Sequence, residues 1–159
     1  MSAAATMMLR TASKRCFMQA ARLNTPSFTT SRMFSMKFLD SHEYIKVDGD
    51  IATVGISDHA QGQLGEVVYV EIPEIDEEVE KGDSFTNVES VKAASDVYAP
   101  VSGTIVEVNE DLDSSPEILN DDPEGKGWIA KIKMSDPSEL DSDDLMDEEA
   151  YKKFLEESS

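Results

Sequence analysis

The chain predicts a mainly β fold, a sandwich of two similar units with a short helix after the first hairpin and another at the C-terminus. Three observations carry this. An Asp-Gly pair, Asp48-Gly49, separates two β-prone runs. The stretch Gly65-Glu66-Val67-Val68-Tyr69-Val70 recurs as Gly103-Thr104-Ile105-Val106-Glu107-Val108. Between the copies a lone lysine, Lys92, lies in a segment that reads as strand, tight turn, strand.

The first 39 residues stand apart. They contain Arg10, Lys14, Arg15, Arg22, Arg32 and Lys37 and no Asp or Glu, in a Ser/Thr-rich context. That composition reads as a mitochondrial transit peptide. The alternative is a basic arm for nucleic acid or membranes. Arg32-Met33-Phe34-Ser35 resembles a matrix-processing signal, which predicts cleavage of residues 1–34 and a mature domain over 35–159. The sole cysteine, Cys16, would be removed, leaving neither disulfide nor thiol nucleophile. From residue 40 onward eight basic residues face 33 acidic ones, a net charge of −25. Such a body repels phosphate backbones, so no nucleic-acid partner is expected. No apolar run approaches the roughly 20 residues needed to cross a bilayer. A monomeric soluble matrix protein without a membrane partner is the expectation. About two-thirds of its unfolded surface would be buried on folding, enough for one core.

Along the mature chain, Tyr44-Ile45-Lys46-Val47 and Ile51-Ala52-Thr53-Val54-Gly55-Ile56 flank Asp48-Gly49, predicting a hairpin closed by a type I′ turn. Ser57 or Asp58 then caps a short helix over 58–64, with Gly65 as its left-handed stop. In the repeat, Val68 and Val70 match Val106 and Val108, on one strand face at period two. Neither copy buries its apolar face alone, so the two pack together about an approximate two-fold axis. Lys81-Gly82 recurs as Lys126-Gly127 at a longer offset, which places an insertion within 109–124 of the second copy. Residues 79–100 form a hairpin. Its tip lacks Gly and Asn near Lys92, so a type I turn is expected. Pro100 and Gly103 end the hairpin. Residues 109–127, rich in Asp, Pro, Ser and Gly, predict a surface loop with one helical turn at 116–119. Residues 128–134 predict a last strand. Ser142 caps a C-terminal helix to about Leu155, with Met146, Ala150 and Phe154 on its apolar face and Asp143, Asp144, Lys152 and Lys153 suiting its dipole.

A lysine in a turn is ordinarily a solvated residue. A modifying enzyme must reach its target amine from outside, and a swinging arm needs an exposed, rigid tether; a lysine at the junction of two β units meets both demands. Glu89-Ser90-Val91-Lys92-Ala93-Ala94-Ser95-Asp96, followed by Ala99-Pro100-Val101-Ser102-Gly103, resembles the lipoylation segment of glycine cleavage system H-proteins. So do Ser41-His42-Glu43-Tyr44, Gly55-Ile56-Ser57-Asp58-His59-Ala60-Gln61, Leu64-Gly65-Glu66-Val67-Val68 and Gly127-Trp128, over about residues 38–155. Lipoyl domains of 2-oxo acid dehydrogenases usually carry Asp-Lys-Ala at the tip, and biotin carriers Met-Lys-Met.

The resemblance implies a lipoyl/biotinyl-type hybrid barrel-sandwich with lipoate in amide linkage on Lys92, and a carrier rather than an enzyme. It implies that the arm accepts an aminomethyl group from pyridoxal-phosphate-dependent glycine decarboxylase. The arm then delivers it to the tetrahydrofolate-dependent aminomethyltransferase and is reoxidised by dihydrolipoamide dehydrogenase with FAD and NAD. A lipoylating enzyme is the fourth implied partner. The family's cleft for the loaded arm maps onto Ser41, Glu43 and Asp96. Carboxylates there would pair with the arm's ammonium while the cleft excludes water. The plainer reading makes Ser41 and Glu43 a local turn and Asp96 a solvated hairpin residue. Two departures stand out: Asp76 where many relatives have glycine, in a turn that would need positive φ, and Tyr44 where Trp is common.

Competing classes find less support. A lipoyl or biotinyl domain of another complex would ordinarily be tethered to a longer chain. A hydrolase using Ser90 with His59 lacks a nucleophile-elbow glycine pattern. His42 and His59 have no metal-ligand spacing and read as structural. The acidic runs lack the central glycine of a calcium loop; as a solvated face they would steer docking onto basic partners. A purely structural acidic protein would tolerate Lys92→Arg.

Overall fold

The computed structural model describes residues 35–158. The expected transit peptide, with Cys16 and Arg32, lies outside the described residues. Met36–Phe38 (β1), Glu43–Asp48 (β2) and Ile51–Ile56 (β3) form an antiparallel meander. Asp48 pairs with Ile51, so the turn residues are Gly49 and Asp50 rather than Asp48 and Gly49. Only Gly49 has positive φ (65°). The turn therefore follows the II′ pattern, with glycine at its first central position, and not type I′. Asp58–Leu64 (α1) follows as expected: Ser57 Oγ accepts from the Ala60 N–H, and Gly65 ends the helix at φ 78°.

Next come Val67–Val70 (β4), Glu78–Val79 (β5), Ser84–Ser90 (β6), Ala94–Tyr98 (β7) and Gly103–Val108 (β8). Two short helices, Asp111–Ser114 (α2) and Ile118–Asp121 (α3), precede Ala130–Met134 (β9). A 3-10 turn over Pro137–Asp141 leads to Glu148–Ser158 (α4). The strands form a six-stranded sheet, β1-β2-β3-β9-β8-β5, and a three-stranded sheet, β4-β6-β7. Val54, Val67, Val88, Val97, Ile105 and Ile132, drawn from both sheets, meet in one buried cluster. Each such side chain contributes about 1.5–3 kcal/mol by leaving water.

The repeat is real in three dimensions and more irregular than strict alternation. β4 pairs with β6 and β8 pairs with β9, each with a bulge at the matching place, Val67/Tyr69 and Ile105/Glu107. The extra residue lets Val67 and Val70 both point inward while Val68 is half exposed. Val68 and Val106 thus leave the face that period-two counting has them share with Val70 and Val108.

Two further expectations change. The 109–127 insertion is no mere surface loop: Leu112 and Leu119, one on each short helix, are fully buried and close one end of the core. The last helix starts later than predicted. Asp147, not Ser142, caps it, accepting from the Ala150 N–H at 2.8 Å. Ser142 Oγ instead accepts from Lys81 Nζ (2.6 Å), which also pairs with Asp144 (3.0 Å). Its packed face is Tyr151, Phe154 and Leu155, while Ala150 is exposed. Tyr151 stacks on Phe38 at 4.4 Å. Met146 lies outside the helix and bridges to Phe38, tying β1 to the C-terminal segment.

Candidate functional site

Lys92 is exposed at the tip of the β6–β7 hairpin. Ser90 builds the turn. Its backbone N–H donates to the Ala93 carbonyl (2.7 Å), and its Oγ accepts from the Lys92 and Ala93 N–H groups at 3.2 and 3.0 Å. No turn residue has positive φ, in keeping with a turn built without glycine. The tip is also pinned from the side, because the Val91 N–H donates to the Glu66 carbonyl at 3.0 Å. The lysine side chain crosses Gly65. A Cβ there would stand 3.2 Å from Lys92 Nζ and 3.3 Å from Cε. Glycine at 65 therefore serves both the helix stop and the path of the lysine.

Residue 65 is itself held by Asn120 of α3. The Asn120 amide donates to the Gly65 carbonyl (2.7 Å) and to Gln61 Oε1 (3.0 Å), and its oxygen accepts from the Val67 N–H (2.9 Å). One side chain thus clamps the segment on which the hairpin tip rests. Sequence reasoning missed Asn120, since it lies in the insertion and nothing local marks it. The bed at Gly65 was also missed, although the stop glycine was legible.

Ser41, Glu43 and Asp96 line one cleft of about 210 Å³, with His42, Ala60 and Ser95 also in its wall. Asp96 follows Lys92 by four residues, so their Cα atoms are at most about 14 Å apart. Glu43 is buried, with Ser41 Oγ donating to its Oε2 (2.5 Å) and the Tyr98 N–H to its Oε1 (3.0 Å). It therefore braces β2 against β7 as well as lining the cleft. Asp96 accepts from the Asn87 side chain at 3.0 Å. The turn carrying Ser41 depends on His42, which adopts φ 75° and whose carbonyl accepts from the Ser57 N–H at 2.9 Å.

His42 links the cleft to the last helix. Its Nδ1 lies 2.8 Å from the Tyr151 hydroxyl, which lies 2.8 Å from Ser57 Oγ. His59 packs beside it at 4.8 Å between ring centres. Burial, then the neighbouring His59, hold the His42 pKa below its usual 6.5, with Asp40 opposing. Burial pushes the Tyr151 hydroxyl above its ordinary value. Tyr44 fills its aromatic position fully buried, donating to the Pro123 carbonyl at 3.1 Å. Asp76 does adopt positive φ (68°), as the glycine of relatives suggested. Ser90 and His59 form no catalytic pair: Ser90 is bound into its own turn, and His59 Nε2 meets Gln63 at 2.8 Å.

Residues 36–158 match the family model described as Glycine cleavage H-protein. The chain is 58% identical over 124 residues to a protein of Vibrio cholerae named Glycine cleavage system H protein, covering 77% of this chain and 97% of that one. It is 56% identical over 118 residues to one of the same name from Thermotoga maritima, covering 74% and 94%. A crystal structure of a glycine cleavage system H protein from Mycobacterium marinum superposes with a TM-score of 0.67 at 31% identity, covering 79% of this chain and 97% of that one.

Proposed function

We propose, for a chain that belongs to the glycine cleavage H-protein family, that Lys92 is the residue that carries its lipoate. The chain is a lipoyl carrier of the glycine cleavage system and not an enzyme, and its lipoate is covalently attached. The exposed Lys92 amine on a turn fixed by Ser90 and Glu66 is the observation that carries the assignment. The residues fit the group: a primary amine suits an amide, and the narrow tip leaves it open to an acylating enzyme. Lipoate supplies the sulfur pair that takes up and returns a one-carbon unit. This chain's own residues hold the tether rigid and shelter its end.

Ser41, Glu43 and Asp96 are the proposed cleft for the loaded arm. Two carboxylates suit a cationic end group, and partial enclosure limits its exposure to water. The proposed partners are glycine decarboxylase with pyridoxal phosphate, the tetrahydrofolate-dependent aminomethyltransferase, dihydrolipoamide dehydrogenase with FAD and NAD, and a lipoylating enzyme. The carrier meets each in turn as a monomer. Residues 1–34 are the proposed mitochondrial transit peptide, residues 35–159 the carrier domain, and the matrix its site of action. Support comes from the acid-free, Arg-bearing leader and from a family match that begins only at residue 36. The relatives named above are bacterial.

Lys92→Arg tests the assignment, since it keeps the charge but removes the acylable amine. The variant should fold with unchanged circular dichroism and Tm and fail to support glycine cleavage in a reconstituted system. Retained activity would contradict the proposal.

A further inference from the structure

The two copies of the repeat share a bulge but differ in what covers it. In the second copy the bulge carries Val106, 38% exposed, and the charged Glu107. Glu107 is paired with Lys131 at 2.8 Å, and Lys131 lies over the Trp128 ring at 4.7 Å. In the first copy the same positions are Val68 and Tyr69, each about half exposed. Tyr69 faces Glu89 across the ladder. Val91, 67% exposed, stands next to Lys92 at the tip, and its N–H is bound to the strand entry at Glu66. The first copy therefore sets an apolar patch of Val68, Tyr69 and Val91 beside the lysine, on the strand face shared with Glu89 and bordered by Glu66.

We propose that Val68, Tyr69 and Val91 form the docking surface for the enzyme that joins lipoate to the Lys92 amine. The proposal rests on Lys92 being the attachment site. Reach selects this occupant. The unmodified amine lies one side-chain length from the tip, against Gly65. An enzyme acylating it must bring a carbonyl carbon to bonding distance of Nζ and so must cover the tip. Enzymes acting on the finished arm meet its far end and can stand off. In the step itself, Nζ attacks the carbonyl of an activated lipoyl donor, an acyl–phosphate anhydride. The amide C–N bond forms, the acyl C–O bond breaks, the phosphate leaves with the electron pair, and the amine gives up a proton. Charge complementarity gives the partner a surface with a small apolar spot rimmed by basic groups, matching Glu66 and Glu89.

The test measures lipoylation of the full chain by a purified lipoate ligase with lipoate and ATP. The double variant Val68→Ser/Val91→Ser should lose about tenfold in kcat/KM, mainly through KM, as expected for two apolar contacts at an interface. Val106→Ser, at the same bulge of the other copy, should stay within about twofold. Unchanged kinetics in the double variant would overturn the docking surface. A lipoyl group found elsewhere than Lys92 in the wild type would overturn the underlying assignment instead. Driven to full lipoylation, the double variant should support glycine cleavage at the wild-type rate. Normal lipoylation with lost cleavage would place the patch with the shuttle's other enzymes and overturn the proposal.

Discussion

Glu43 does two things with one carboxylate. It ties Ser41 to the Tyr98 backbone, and it gives the cleft an acidic wall. Glu43→Ala would leave the Tyr98 N–H without its partner, so urea denaturation should show a loss of about 1–3 kcal/mol. Glu43→Gln keeps an acceptor oxygen there and should cost about 1 kcal/mol or less. It should still impair protection of a loaded arm, because the neutral amide no longer offsets an ammonium. Equal stability loss in both variants would contradict the bracing role. His42 offers a pH test. Its folded pKa lies below its unfolded value near 6.5. Its contribution is therefore complete above about pH 6.5 and is lost as pH falls through the folded pKa, because the unfolded chain takes up the proton first. Between pH 7.5 and 5.5, His42→Asn should show a smaller drop in Tm than the wild type. An equal drop would place that pH dependence elsewhere.

At the scale of elements, what sequence reveals depends on how local the determinant is. The first hairpin (though not its turn type), α1 (with Ser57 as one of two candidate caps) and the glycine-free tip at Lys92 are set by neighbours in the chain and were legible. Strand β1 was not legible, because three residues carry no period and its pairing depends on β2 and Met146. The late start of α4 was missed because Ser142 and Asp147 are equally good caps on paper. Lys81, 61 residues away from Ser142, decides between them. Asp147→Ala should therefore cost about 1 kcal/mol by thermal or urea denaturation, and Ser142→Ala should leave α4 helicity unchanged. The bulges escaped period-two counting since one extra residue resets the alternation. Ser41, Glu43 and Asp96 line one cleft, a grouping suggested by the family resemblance and not by their spacing in the chain. Asn120 joined the site only through long-range contacts, and His42, between Ser41 and Glu43, is tied to the last helix only through distant Tyr151. Asn120→Ala should speed amide exchange at Val67, whose N–H it binds, with a smaller effect in β9; uniform change across the sheets would argue against a local clamp.

As a whole, the body formed by residues 35–158 is acidic, and among its exposed lysines Lys92 is the one raised on the tip of a braced hairpin. A net charge of −25 beyond residue 39 implies that partners present basic faces. The apparent KM of the reconstituted cleavage system for the carrier should thus rise with salt between about 0.05 and 0.3 M, where screening shortens from beyond ~10 Å to below it. A flat response would remove electrostatic steering from the account. The most direct test of the central claim is the mass of the tryptic peptide bearing Lys92, taken from protein isolated from its native compartment. Lipoylation blocks cleavage at Lys92, so the account predicts one peptide over residues 82–126 with a lipoyl increment on Lys92. Cleavage after an unmodified Lys92, or a lipoyl group on another residue, would contradict it.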